Sequence, residues 1–280
     1  MRSFFLAALV LVALAESALG ILGPRRVATE DDWRSAADRV RKELAADDLI
    51  VFSPAWSDQV GRKHLGDLMP VTMVARADSA RYARIWELST HDAHAEEVAG
   101  LTPTLEEHHG RITLRRYEQK AARVLRDLTS DFAEARVALR PRGGGAEQAC
   151  TVDGIARRCG ATRVEPRVLE IDYRPRRGVL VPVAPEQTTT IAYDDVEGGT
   201  LVGWVGLHDY YARKSADGVV MVRVRVDGGL QTVTLPLRNE DGWKRYTLEL
   251  PPGKHALRFE VDAEHPAFRL VGMHAEVRAP

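Results

Sequence analysis

Ser53, Trp56, Asp58, Arg62, His64 and Asp67 crowd into residues 53–67, directly after the apolar run Leu49-Ile50-Val51-Phe52. In an open parallel sheet, ligands sit beyond the carboxyl ends of the strands. A Trp face beside Asp, Arg and His groups suits a sugar or phospho-sugar. Asp58, His64 and Asp67 are the residue types that could serve as general acid and base in hydrolysis or transfer of a sugar or phosphoester. The plainer reading packs Trp56 on the sheet and leaves the charges in water. Position in a fold is an associational argument, so no catalytic residue is assigned, and these three stand only as candidates.

A second segment is denser still. Trp204, His208, Asp209, Tyr210 and Tyr211 follow a predicted strand, so part of the segment reaches a loop. Sugar CH faces stack on Trp and Tyr, while Asp and His bond hydroxyls. With Trp56, these five are the candidate ligand-binding residues. The competing reading makes Trp204 and one Tyr core and the rest a polar turn. Trp243, after Asp241-Gly242, reads as core. Arg174, Arg176 and Arg177 form the best local arginine cluster for an anion site. His91-Asp92-Ala93-His94 and Glu106-Glu107-His108-His109 hold metal-ligand residue types, but neither matches HExxH. No GxSxG, GxxxxGK[ST] or GxGxxG occurs, and Gly143-Gly144-Gly145 follows no predicted strand, so it reads as a linker rather than a phosphate cradle. No metal and no cofactor is expected. Across 280 residues Lys+Arg is 39 and Asp+Glu is 40, a net charge of −1, which argues against nucleic-acid binding by bulk charge.

The N-terminus sets the compartment. Met1-Arg2-Ser3 precedes an apolar run from Phe4 to Ala15, and Ala18-Leu19-Gly20 offers small residues for cleavage. That is the pattern of a signal peptide. Read on to Leu22, the stretch approaches the length of a membrane anchor, though Glu16 interrupts it. Residues 1–22 therefore read as signal peptide or single anchor, and in the second case they attach the chain to a membrane. Cys150 and Cys159, the two cysteines, have eight residues between them and no His there. In an exported chain they form one local disulfide. Both features place the protein outside the cytoplasm, in a periplasmic or cell-envelope space.

The elements that position these residues fall into two textures. Thr29 is a plausible helix cap, with Asp31 and Asp32 in the first turn and Trp33, Ala37, Val40 and Leu44 at helical spacing. Leu49–Phe52 reads as a strand buried on both faces. Helices are predicted at 58–68 and 92–99, with strands at Tyr82–Leu88 and Arg111–Tyr117. Ala122, Leu125, Leu128 and Phe132 predict a helix within 119–140. Helices alternating with strands give a small three-layer α/β domain with a mostly parallel sheet, residues 28–140. Residues 141–165, opening on Pro141-Arg142-Gly143-Gly144-Gly145, read as a linker carrying the disulfide. From 166 to 280 the chain offers short strands without helix. Val219–Val226 alternates and ends at Asp227-Gly228-Gly229, a hairpin-type turn. That domain is an all-β sandwich or jelly roll. The fold class is thus two-domain α+β behind an N-terminal hydrophobic helix.

Two stretches resemble families. Asp32–Ala37, Asp48–Phe52, Arg84–Leu88 and Gly110–Leu114 resemble the soluble extracytoplasmic tail of polyprenyl-phosphate-sugar-dependent glycosyltransferases of the dolichyl-phosphate-mannose mannosyltransferase-like group. Such enzymes carry catalysis on many membrane spans that this chain lacks, so the resemblance implies an accessory domain and transfers no catalytic residue. Leu201–Leu207, the Val219–Gly228 strand and turn, and Asp241-Gly242-Trp243 leading into Tyr246–Leu250 resemble galactose-binding-like sandwiches. That resemblance implies saccharide binding or a structural role. The sequence thus points to a non-catalytic accessory protein of the envelope, holding a glycan or a membrane-protein partner through its sandwich. An enzyme at the α/β cleft and a purely structural protein are the alternatives.

Overall fold

The computed structural model describes residues 10–14, 16–17, 27–208, 218–265 and 269–280, and they form two compact units. Most of residues 1–22, expected as signal peptide or anchor, lies outside the described residues. Positions 10–14 and 16–17 are helical, and among the described residues no helix is long and apolar enough to cross a membrane.

The first unit takes residues up to Met73 and then Tyr82–Ala121. Helix α1 (Glu30–Glu43) begins in a capping box: the Asp32 amide donates to Thr29 Oγ1 at 3.2 Å and the Thr29 amide donates to Asp32 Oδ2 at 2.9 Å. Acidic Glu30, Asp31 and Asp32 lie at its positive end and Arg41 and Lys42 at its negative end. Trp33, Ala36, Ala37 and Val40 form its buried stripe. Strand β1 (Asp48–Ser53) is buried throughout and pairs in parallel with β2 (Arg84–Ser89). Strands β3 (Pro103–His109) and β4 (Ile112–Glu118) add antiparallel, in the order β1-β2-β4-β3. Helix α2 (Asp58–Leu65) follows β1.

Two expectations fail here. The sheet is mixed, with one parallel pair, because β3 and β4 close as a hairpin rather than through a crossover helix. The predicted helix at 92–99 is one 3-10 turn, Glu96–Val98. His91 and Asp92 stand at φ 56° and 53°, outside right-handed helix, and the buried Glu87 carboxylate captures the Ala95 amide at 2.5 Å.

The second unit takes Val74–Arg81 and then Ala122–Pro280. Its strands are β5 (Val124–Asp127), β6 (Arg136–Pro141), β7 (Gln148–Ala149), β8 (Thr151–Asp153), β9 (Ala156–Cys159), β10 (Thr162–Ile171), β11 (Arg174–Pro182), β12 (Gln187–Leu207), β13 (Val220–Val226), β14 (Gln231–Leu237), β15 (Lys244–Ala263) and β16 (Leu270–Arg278). The helix predicted within 119–140 is therefore replaced by β5, a 3-10 turn at Phe132–Glu134 and β6. Asp127 Oδ1 accepts the amides of Thr129 and Ser130 at 3.0 Å each, a local turn that halts any helix. Residues 141–165, expected as a linker, carry β7 to β9 and the Cys150–Cys159 disulfide, whose Cα atoms are 4.6 Å apart.

β12 and β15 are single long strands paired along their length, where short strands were expected. Their register breaks between Tyr193 and Val196 and again between Glu197 and Gly199. Before the break β12 pairs with β6, and after it with β16. Bulges of this kind let one strand serve both layers of a sandwich. Gly199 sits in the break at φ 153°, where an added Cβ would lie 2.4 Å from the Arg278 carbonyl oxygen.

One layer contributes Ile191, Tyr193, Val222, Val224, Val226, Phe259 and Val261 to the core. The other contributes Val179, Val181, Leu201, Val205, Val271, Met273, Ala275 and Val277. The two sets meet as one buried cluster, which makes the unit a β-sandwich. On β16 the odd-numbered residues face this core, so His274, Glu276 and Arg278 face away from it.

Candidate functional site

The outward face of β12, β15 and β16 gathers the unit's polar and aromatic groups. Trp204 pairs with His274 on one side and Arg245 on the other. It is 3% exposed, because residues 74–81 cross this face as a strap: Ala77 packs on Val202 and Trp204, and the Arg177 amide donates to the Ala75 carbonyl at 2.8 Å.

Charged pairs hold the strap. Glu276 is fully buried, and its carboxylate accepts Arg278 Nε at 2.6 Å and Arg81 Nη2. Arg81 Nη2 also donates to Asp127 Oδ2 at 2.8 Å. Arg278 Nη2 forks onto both oxygens of Asp78 at 2.9 Å. His274 Nδ1 lies 2.9 Å from the Arg177 carbonyl and 3.1 Å from Thr129 Oγ1, and its Nε2 lies 3.3 Å from Glu276 Oε2. Burial pushes the His274 imidazole down to about 4; Asp127 works against this and Arg81 adds to it. Burial works to raise the Asp127 carboxyl, yet His274 and Arg81 outweigh it and hold it below the usual range.

Asp127, His274 and Glu276 place one ligand atom each within 4.8 Å of one another, the spacing of a metal-holding group. Arg81 bridges both carboxylates and supplies the positive charge there. The network joins carboxylates, imidazole and guanidiniums to each other. It fixes a segment rather than poising a nucleophile.

The aromatic groups continue outward. Three guanidinium carbons stand near the Trp204 ring, Arg176 at 5.0 Å and Arg245 and Arg278 at 5.8 Å each. Arg176 lies 5.7 Å from the half-buried Trp243 as well, so it sits between two indoles. Trp243 Nε1 donates to the Arg174 carbonyl at 2.9 Å. Its ring crosses Gly272, where a Cβ would come within 2.9 Å of it. Tyr173, 76% exposed, shares with Asp172 the left-handed turn between β10 and β11, at φ 58° and 52°.

The residues expected from the sequence are placed as follows. Trp204 is enclosed and offers no free ring face. His208, half-buried at the end of β12, donates its amide to the Leu270 carbonyl at 3.0 Å. Asp209, Tyr210 and Tyr211 lie outside the described residues. Trp56 stands 65% exposed in the 3-10 turn Ala55–Ser57 of the first unit. Asp58, His64 and Asp67 take three separate partners. Asp58 pairs with Arg62 at 2.7 Å, Asp67 with Arg41 at 2.6 Å, and the His64 ring stacks on Trp33 with centroids 6.3 Å apart. The His and acidic stretches at 91–94 and 106–109 are likewise organised around arginine. Arg115 bonds Glu106 at 2.7 Å and reaches Glu87 at 3.5 Å and Asp92 at 4.0 Å.

Arg81, Asp127, His274, Glu276 and Arg278 were not singled out from the sequence, and Trp243 was read as core. The one available signal was the alternation in His274-Ala275-Glu276-Val277-Arg278, which reads as an ordinary solvent face.

No family model matches the chain, and no curated protein matches it. Among solved structures, the chain is similar to the CBM51-2 and INT domains of ZmpB from Clostridium perfringens in complex with GlcNAc. Identity is 19% and the TM-score 0.35, over 43% of this chain and 28% of that one. It is also similar to the CBM51 of a Clostridium perfringens GH95 in complex with methyl-galactose, at 14% identity and a TM-score of 0.30, over 40% of this chain and 80% of that one. A third is TmCBM61 in complex with beta-1,4-galactotriose, at 12% identity and a TM-score of 0.28, over 37% and 70%. The chain spans less than a third of the first of these. The glycosyltransferase-tail resemblance gains no support from them.

Proposed function

We propose that the chain is an exported, non-catalytic accessory protein of the cell envelope whose sandwich holds a glycan on the outward face of β12, β15 and β16. The arrangement Trp243–Arg176–Trp204–Arg245, edged by the exposed Tyr173, carries this reading. Protein–saccharide contacts need flat aromatic area beside fixed donors. Trp243 and Tyr173 supply the area, and the guanidiniums supply the donors. In this reading Trp204 is the floor that holds the arginines flat, rather than the stacking surface itself. His208, Asp209, Tyr210 and Tyr211 follow β12 in sequence and are proposed as further contacts, and Trp56 as a separate one on the first unit.

Export rests on the signal-like residues 1–22 and on the Cys150–Cys159 disulfide, which suits an oxidising compartment. A membrane-protein partner on the same face is the other occupant the notion of an accessory protein admits. The alternative of an enzyme at the first unit has less behind it, since Asp58, His64 and Asp67 are each engaged elsewhere. A glycan array on the purified protein tests the proposal, with Trp243→Ala and Trp204→Ala beside it. Binding lost in Trp243→Ala at unchanged thermal midpoint supports it. An array without a single saccharide signal sinks it.

A further inference from the structure

Arg245 differs from the arginines across the sandwich. On the other layer, Arg223 holds Asp262 at 2.5 Å, Arg225 holds Glu260 at 3.0 Å and Arg258 holds Glu147 at 2.9 Å. On the aromatic face, Arg278 is neutralised by Asp78 at 2.9 Å and Glu276 at 2.6 Å. Arg245 is exposed, stands 5.8 Å from the Trp204 ring, and has no carboxylate within ion-pair distance among the described residues.

An exposed guanidinium with no carboxylate partner gains from a bound anion. A guanidinium laid on an aromatic ring is weakly hydrated and keeps its N–H edge available. That edge matches the two oxygens of a carboxylate or phosphate. A neutral hydroxyl can accept one such bond but cannot offset the charge.

Resting on the glycan reading above, we infer that the saccharide held by this face is acidic, with an oxyanion received by Arg245 beside the Trp204–Trp243 aromatics. Arg245 is then a specificity-determining residue. Trp243 and Tyr173 contact the sugar, and Arg245 selects its charge.

The test uses two matched pairs of polymers with the purified protein, measured by calorimetry at low and at 0.5 M salt. Polygalacturonate is set against its fully methyl-esterified form, and phosphomannan against neutral mannan. At least one acidic member should bind about tenfold or more tightly than its neutral partner, and added salt should weaken it. Arg245→Met, which keeps the stem on the indole, should remove that preference, and Arg245→Lys should restore only part of it, the charge without the fork. The Arg245 variants should keep the wild-type thermal midpoint. Equal binding of acidic and neutral members, or an acidic preference untouched by Arg245→Met, overturns the inference and leaves the glycan reading standing. Absence of binding to all four polymers overturns the inference, and the glycan array alone then decides the glycan reading. Single-stranded DNA bound as tightly as the acidic polymers, with the same Arg245 dependence, overturns the saccharide assignment.

Discussion

Replacing Glu276 with Gln removes one negative charge from the centre of the strap network and changes almost no volume. Glu276 is fully buried and serves both Arg81 and Arg278. Breaking a buried ion pair by neutralising one partner costs about 3–5 kcal/mol, because the surviving charge stays desolvated. Here each guanidinium keeps a second carboxylate, Asp127 for Arg81 and Asp78 for Arg278. The loss should therefore fall at the lower end, about 3 kcal/mol. With a urea slope of about 2 kcal/mol/M for a domain of this size, the midpoint moves down by about 1.5 M. A surface pair gives the control. Arg136 and Asp194, with side chains 71% and 56% exposed, lie 2.8 Å apart, and Asp194→Asn should cost below about 0.5 kcal/mol. Hydrogen exchange adds a local readout: the Arg177 amide, bonded to the Ala75 carbonyl, should lose protection in Glu276→Gln and keep it in Asp194→Asn. A loss below about 1 kcal/mol, or an Arg177 amide as protected as in wild type, would show that the charge network does not hold the strap.

His274 should make the sandwich acid-sensitive. Its folded imidazole titrates near 4, against 6.5 when free, so the unfolded chain binds the extra proton first and stability drains as pH falls from about 6.5 to 4, by about 3 kcal/mol at most. His274→Gln should flatten that slope in a urea series run at several pH values. His255 works in the opposite sense: its hydrogen bond to Asp227 raises it, so its contribution is present below 6.5 and fades as pH climbs through the raised value. Reduction of Cys150–Cys159, or the paired serine variant, should lower stability by about 2–3 kcal/mol on the loop-entropy model, read as a thermal midpoint with and without reductant. Thr29→Ala should cost about 1 kcal/mol in the first unit by opening its capping box, and Thr29→Ser should restore most of it.

Much of the fold was legible because its signals are local. The valines of β13 fall on every second position, and Val222, Val224 and Val226 all reach the core as the period requires. Thr29 caps α1 as read, and the cysteine pair forms its disulfide. The errors came where a long-range partner decides. Ala122, Leu125, Leu128 and Phe132 keep helical spacing, yet β5 is claimed by β16 and β6 by β12. Edge pairing of this kind overrides a weak helical preference, and no window on 119–140 contains the pairing strand. The length of β12 and β15 escaped the short-strand expectation for a related reason. Gly198-Gly199 and Pro251-Pro252-Gly253 look like punctuation in the sequence, but here they mark where continuous strands pass from one layer to the other.

The site was less legible, and the reason is a covering segment rather than a hidden motif. Alternate polar residues on the outward face of a sandwich strand normally meet water, so His274, Glu276 and Arg278 carried no warning. Their burial depends on residues 74–81, which precede β16 by nearly the whole length of the unit, and on the fact that Arg81 and Asp78 carry charges opposite to those they meet. The same strap changes what Trp204 is for. An exposed indole at the end of an apolar strand suggests a stacking surface. An enclosed one, ringed by three guanidiniums, instead holds arginines in place. In the proposed function the ligand-facing role then passes outward to Trp243 and Arg245. Trp243 reads as core in the sequence because its ring does lie over a glycine of the sheet, while its outer edge stays half-exposed. If the strap is what makes Trp204 a floor, then loosening it through Glu276→Gln should weaken saccharide binding by as much as Trp204→Ala does, without touching Trp243 or Arg245. Unchanged binding in a variant with a demonstrably loosened strap would separate the two, and would return Trp204 to an ordinary core role.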